Sequence, residues 1–209
     1  MYNFISIEGT LGAGKTTLAT KIANDFNGKL ILEQFEDNPF LPKFYKEPDK
    51  YAFPLEMTFM ASRYQQMKDQ IATYDMFHDF VVSDYFIVKS LIFSRNNLEE
   101  DEYRLFTRFF NITMGNIHKP DLLVYLYLDV DNLQNNIKKR GRSYEQEIKD
   151  TYLSNIQSGY FDYFRQANDM RILILDTNNL DFVKNEKDYQ LIIDTINKPY
   201  EVGVHRISF

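Results

Sequence analysis

The chain has 209 residues, no cysteine, and 24 Lys and Arg against 30 Asp and Glu, a formal charge of −6. Without thiols there is no disulfide scaffold, thiolate zinc site or cysteine nucleophile, and the composition fits a reducing cytoplasm. The acidic balance argues against general nucleic-acid binding, because phosphate backbones attract basic surfaces, so any phosphate ligand needs a local device.

In chain order, Tyr2-Asn3-Phe4-Ile5-Ser6-Ile7 predicts a first strand. It runs into Gly9-Thr10-Leu11-Gly12-Ala13-Gly14-Lys15-Thr16-Thr17, the spacing of a phosphate-binding P-loop. Glycines let successive backbone N–H groups turn inward onto phosphate oxygens. A helix predicted over 16–26 aims its positive end at the same anion. Lys15 then neutralises charge between the β- and γ-phosphates, and Thr16 offers a hydroxyl to Mg²⁺. A second strand, Leu30-Ile31-Leu32, ends at Glu33, and a long helix is expected over about 53–73. A third strand, Phe80-Val81-Val82-Ser83, ends at Asp84, with a helix over 84–93. A further helix over 98–117 has Asn97 as its start signal and Glu99, Glu100, Asp101 and Glu102 in its first turn. Strands over 122–128 and 171–175 follow, and residues 200–209 read as an ordered or fraying tail.

The strands are continuous apolar runs, the pattern of strands buried on both faces. Alternation with helices predicts one doubly wound α/β domain over 1–209 with a five-stranded parallel sheet. No run of about 18 apolar residues is present, so no membrane span is expected. Residues 1–10, with Glu8 among them, do not read as a targeting segment.

A P-loop indicates a nucleotide but not the reaction. A GTPase would show a guanine-reading Asn-Lys-x-Asp, yet Asn197-Lys198 is followed by Pro199-Tyr200. A small-molecule kinase needs an acceptor pocket, a base and cations over the transferring phosphoryl group. Lys138-Lys139-Arg140-Gly141-Arg142 suits the last need, since arginine forks pair with phosphate oxygens. It is expected to follow a helix and form a mobile lid over about 138–147. Carboxylates at strand C-termini face the ligand crevice of an open parallel sheet. Glu33 can therefore accept a proton from an attacking hydroxyl, and Asp84 can hold Mg²⁺ or serve as the base instead. Glu56, Phe59 and Arg63 share one face of the long helix, a carboxylate, a ring and a guanidinium suited to a planar heterocycle.

Together these segments resemble the deoxynucleoside kinases, particularly the bacterial deoxyadenosine/deoxyguanosine kinases. Glu33 with Glu36-Asp37-Asn38-Pro39 looks like the family's motif after strand two. The stretch from Tyr45 through Glu56 to Arg63 is similar to its nucleoside-binding region, and Arg140-Gly141-Arg142-Ser143-Tyr144-Glu145 to its lid. The resemblance implies a P-loop kinase fold and transfer of phosphate from ATP, with Mg²⁺, to a deoxynucleoside 5′-hydroxyl. It implies that Glu33 meets that hydroxyl, that Tyr45 and Glu145 hold the 3′-hydroxyl, and that Glu56 and Arg63 meet the base. Arg140 and Arg142 would grip phosphates. A homodimer and inhibition by deoxynucleoside triphosphates are also implied, with Phe106, Phe109, Phe110 and Met114 as dimer or core residues.

The chain departs from the family where Tyr85 follows Asp84 in place of an arginine, and where Asn136 replaces a lid arginine. Tyr85 is expected beside the substrate but cannot supply a cation, so Arg140, Arg142 or another residue must. Glu56 stands where an amide is usual, which leans the expected substrate to deoxyadenosine, with deoxyguanosine or deoxycytidine weaker. Two alternatives are a thymidylate kinase and a non-catalytic nucleotide-binding regulator. His78, His118 and His205 have no ligand spacing.

Overall fold

The computed structural model of the chain describes residues 2–35, 38–71, 77–114 and 117–209. Glu36 and Asp37 of the motif after strand two lie outside the described residues, as do 72–73 and 115–116 of the two expected helices and the Met114 side chain.

The N-terminal half runs β1 (Phe4–Gly9), α1 (Lys15–Asp25), β2 (Gly28–Ile31), α2 (Leu41–Phe44), α3 (Pro48–Ile71), β3 (Phe80–Ser83), α4 (Lys89–Asn97) and α5 (Glu100–Met114). The C-terminal half runs β4 (Leu122–Tyr127), α6 (Val130–Arg140), a 3-10 turn (Ser143–Glu145), α7 (Asp150–Gln166), β5 (Arg171–Asp176), α8 (Glu186–Ile196) and β6 (Gly203–Ser208). The sheet order is β2-β3-β1-β4-β5-β6, and every neighbouring pair is parallel.

The sheet therefore has six strands, not the five expected. The segment read as a tail is β6, paired with β5 from Arg171↔Gly203 to Asp176↔Ser208. Half-buried Gly203, His205 and Ile207 alternate with exposed Val204, Arg206 and Ser208. An edge strand with one covered face has period two rather than a continuous apolar run.

The inner strands bury both faces. Ile5, Ile7, Leu122, Val124, Leu173 and Leu175 face a core built with Leu18 and Ile22 of α1 and Ile192 of α8. Leu123, Tyr125, Ile172 and Ile174 face the opposite core, with Ile92 of α4, Phe106 of α5 and Tyr160 of α7. Each fully buried aliphatic side chain contributes roughly 1.5–3 kcal/mol. On the second face of β1, Glu8 is wholly buried. The Phe86 N–H and the Tyr160 hydroxyl each donate to it, both at 2.7 Å. Burial still pushes its carboxyl up, with nearby Lys89 opposing the shift.

Three expected boundaries move. α4 begins at Lys89, not 84, because the backbone before it is already committed. The Asp84 N–H donates to Ile31 O at 3.1 Å, and the Phe86 N–H goes to Glu8. Asn97 ends α4 instead of starting the next helix, and α5 opens with the Tyr103 N–H donating to Glu99 O at 2.8 Å. Lys138, Lys139 and Arg140 form the last turn of α6, where cations suit the helix dipole. Gly141, at φ 74°, closes that helix.

Candidate active site

The P-loop joins β1 to α1 beneath the C-terminal edge of the sheet. Gly12 and Gly14 have φ of 84° and 88°, left-handed values that suit glycine. A Cβ on Gly12 would lie 2.7 Å from Leu133 O, and one on Gly14 2.8 Å from Phe182 Cζ. The Asn136 amide donates to Gly12 O at 2.9 Å, so this residue braces the loop from α6. Lys15 Nζ donates to Thr10 O at 3.0 Å. Burial and the neighbouring Lys89 lower its ammonium to about 8, against the pull of Glu8, Glu33 and Asp84. The Thr10 side chain turns away from the cleft, and its hydroxyl shares a 3.2 Å hydrogen bond with that of Tyr125.

Asp84 ties three elements together. Its Oδ2 accepts from Thr16 Oγ1 at 2.5 Å, and its Oδ1 from the Glu33 N–H at 2.7 Å. Among the described residues there is no group of three or more His, Asp or Glu that could hold a metal alone. The Thr16–Asp84 pair instead suits a divalent cation that keeps waters and borrows oxygens from phosphates.

Glu33 has both oxygens occupied. Arg63 donates to Oε1 through Nε at 2.8 Å and Nη2 at 2.6 Å. Lys89 Nζ donates to Oε2 at 2.6 Å. Burial would push this carboxyl up, but the Lys89 ammonium and the Arg63 guanidinium overcome it and hold it at about 2. Arg63 also donates to Ser90 Oγ at 2.8 Å and lies over the Phe59 ring, 4.7 Å from its centroid. Arg63, expected at the base edge, is thus turned toward Glu33.

Glu56 is buried on the same helix. Its Oε1 accepts from Asn97 Nδ2 at 2.7 Å, while its Oε2 has no partner. Burial raises this carboxyl to about 7, with Arg63 and the Asn97 amide opposing the shift. Glu145 is buried beneath both arginines of the basic run: it pairs with Arg140, and Arg142 Nη1 lies 3.2 Å from its Oε1. Arg142 also covers the Phe35 ring at 4.1 Å, and Tyr45 stacks on Tyr144 at 5.8 Å.

These groups line two adjoining cavities. A broad one of ≈ 1200 Å³ runs from the P-loop residues Gly12 to Thr17 toward Asn132, Asn178 and Phe182. A small one of ≈ 110 Å³ is lined by Leu11, Tyr45, Glu56, Phe59, Arg63, Glu145 and Tyr152. Lys15, Thr16, Glu33, Asp84, Arg140 and Arg142 line both and form the wall between them.

Tyr85 is the site expectation that the structure corrects. It is fully buried, packs on Phe4, Ile31 and Met67, and donates to Gln66 Oε1 at 2.6 Å. Asp84 takes the cleft side of the chain, so the next side chain points away from it. Lys89, which the sequence reading did not single out, lines the small cavity, and its amine reaches Glu33. The sequence signal for it was a lone charge inside Tyr85-Phe86-Ile87-Val88-Lys89-Ser90-Leu91-Ile92. Asn97 was mistaken for a helix cap and is the partner of Glu56.

The family model for deoxynucleoside kinase matches residues 5–200. A deoxyguanosine kinase of Bacillus subtilis is 34% identical over 193 residues, covering 90% of this chain and 93% of that one. A deoxyadenosine kinase of Lactobacillus acidophilus is 28% identical, covering 97% and 99%. Among solved structures, deoxyadenosine kinase from M. mycoides with bound dATP superposes with a TM-score of 0.81 at 25% identity, covering 94% of this chain and 100% of the other. The chain, with a P-loop cleft and a small cavity that share a wall of cations and carboxylates, belongs to the deoxynucleoside kinase family.

Proposed function

We propose that the chain transfers the γ-phosphoryl group of ATP to the 5′-hydroxyl of a purine deoxynucleoside, yielding the monophosphate and ADP. The observation that carries this reading is the shared wall. Lys15, Thr16, Glu33, Asp84, Arg140 and Arg142 border both a phosphate cradle and a small cavity lined by rings and carboxyls. Donor phosphates in one and an acceptor hydroxyl in the other would meet there, the positioning on which phosphoryl transfer depends.

Lys15 and the P-loop N–H groups hold the phosphates. Thr16, with Asp84 beside it, would hold Mg²⁺, which would supply charge neutralisation to the donor phosphates. Arg140 and Arg142 leave Glu145 and close over the phosphates as a lid. Glu33, ionised throughout the working range, orients the 5′-hydroxyl. A loose transition state asks little basicity of it. Arg63 fills both lone pairs of Oε1 and Lys89 one of Oε2, so the hydroxyl donates to the remaining lone pair of Oε2. Glu145, once released, and Tyr45 take the 3′-hydroxyl, and Phe59 and Glu56 meet the base. The acidic Glu33 does not suit an acceptor monophosphate, which weighs against a thymidylate kinase.

A coupled ADP-release assay across four deoxynucleosides and dTMP tests the proposal. Turnover of deoxyadenosine or deoxyguanosine, lost in Glu33→Gln while ATP still binds, is the expected result. Turnover of dTMP alone, or of nothing, would overturn it. The adjoining cavities also suit a deoxynucleoside triphosphate lying across both as a feedback inhibitor, in line with a relative solved with bound dATP. The exposed Leu105, Phe109 and Ile112 of α5 provide an apolar face for a homodimer in the cytoplasm, whereas Phe106 and Phe110 are core.

A further inference from the structure

Glu56 is 1% exposed, and its Oε2 lacks any hydrogen-bond partner. Its neighbours are aimed elsewhere: Asn97 donates to Oε1, and Arg63 directs Nε and Nη2 at Glu33 and Nη1 at Ser90. A buried carboxyl oxygen left unpaired in a cavity wall is costly unless a ligand or a proton completes it. Resting on the reading of the small cavity as the nucleoside site, we propose that one proton on Glu56 decides which purine is accepted: adenine when it is present, guanine when it is absent.

The argument is hydrogen-bond complementarity. A protonated carboxyl presents a donor at Oε2 and, at Oε1, a second lone pair beside the one Asn97 uses. The pairing edge of adenine offers an acceptor at N1 and a donor at N6, so the two match. The pairing edge of guanine offers donors at N1 and N2. These match an ionised carboxylate with two acceptors and oppose the proton of the neutral form. Each mismatch leaves buried polar groups unpaired, the kind of penalty that gives hydrogen-bonding sites their strongest discrimination.

Burial holds the Glu56 carboxyl at about 7, so both forms are populated at neutral pH. Around it, Glu33 is held at about 2, Arg63 is pushed up by its acidic neighbours despite burial, and burial pushes Tyr45 and Tyr152 up. Asp84, Lys89 on α4 and the Arg140, Arg142 and Glu145 group complete the charges facing the cavity. Lys15 titrates nearby, at about 8, but it serves the phosphates. Its effect is common to both nucleosides and cancels in a ratio.

The test is the ratio of kcat/KM for deoxyguanosine to that for deoxyadenosine, measured from about pH 6 to about pH 8. The ratio should rise about tenfold per pH unit, since it follows the ratio of ionised to neutral carboxyl. In Glu56→Gln, whose amide keeps one donor and one acceptor, the ratio should be flat and favour deoxyadenosine. A flat ratio in the unaltered protein, or an unchanged slope in Glu56→Gln, would overturn the proposal. Calorimetry on the unaltered protein in two buffers at about pH 7 gives a second check: deoxyadenosine should bind with proton uptake and deoxyguanosine with proton release. Equal proton exchange for the two would also overturn it. Absence of turnover with every deoxynucleoside would instead overturn the underlying reading.

Discussion

Replacing Lys89 with methionine tests the acceptor site most directly. Glu33 sits at about 2 instead of its ordinary 4.5, although burial acts the other way. That difference is worth roughly 3 kcal/mol of stability at neutral pH. Lys89 exerts the largest of the downward pulls on this carboxyl, ahead of Arg63, so Lys89→Met should lose roughly 2 kcal/mol of it. The sign follows from linkage. A carboxylate depressed in the folded state stabilises the protein above its unfolded value of 4.5 and loses that contribution as pH falls through its folded value of about 2. The difference between parent and variant in urea unfolding should therefore be full at neutral pH and shrink toward about pH 2. The Glu33 carboxyl resonance, followed by NMR, should move its midpoint upward. Loss of the cation that holds Glu33 Oε2 should also cut kcat by about 10- to 100-fold. An unmoved Glu33 midpoint would refute the reasoning. So would a stability loss equal at neutral and acid pH, which would reflect lost packing of Lys89 on Phe93.

Other perturbations probe the frame. Asn136→Ala removes the brace on Gly12 O and should weaken ATP binding by roughly 1 kcal/mol, about fivefold in affinity, with less effect on nucleoside KM. ATP titration calorimetry reads it, and equal affinities would remove Asn136 from the cradle. Gly12→Ala drives a Cβ to 2.7 Å from Leu133 O at a left-handed φ and should abolish measurable ATP binding; retained affinity would refute the strained turn. Tyr160→Phe leaves Glu8 Oε2 without its donor in the core and should lower urea stability by roughly 1–3 kcal/mol. No loss would mean that this bond contributes nothing.

The P-loop and the inner strands were legible because their patterns are local: the glycine spacing, and apolar runs buried on two faces. Glu33 and Asp84 followed from the rule that strand ends face the crevice. What escaped the reading depends on long-range pairing. β6 alternates half-buried and exposed positions, but with Val204 exposed and His205 covered its sequence shows neither an apolar run nor a polar–apolar alternation, so it resembled a tail. The start of α4 was misplaced because Phe86 spends its N–H on Glu8, 78 residues away. Lys89 is a lone charge in an apolar run, but only the fold shows that its amine, carried just after β3, meets Glu33 at the end of the neighbouring β2. The orientation of Arg63 was equally hidden, since spacing on a helix does not say which of two carboxylates a guanidinium will choose.

The double occupation of Glu33 bears on a problem every kinase faces, wasteful hydrolysis. Water is far more abundant than nucleoside, and beside bound ATP it is a competing acceptor. With Arg63 on Oε1 and Lys89 on Oε2, a single lone pair of Glu33 is left to orient a stray water. A nucleoside anchored by base and sugar would outcompete water for that one acceptor. The ion-pair cluster is therefore expected to limit hydrolysis between turnovers by narrowing the access of water to Glu33. Its signature is a nucleoside-independent ATPase rate that rises in Lys89→Met even as kinase turnover falls.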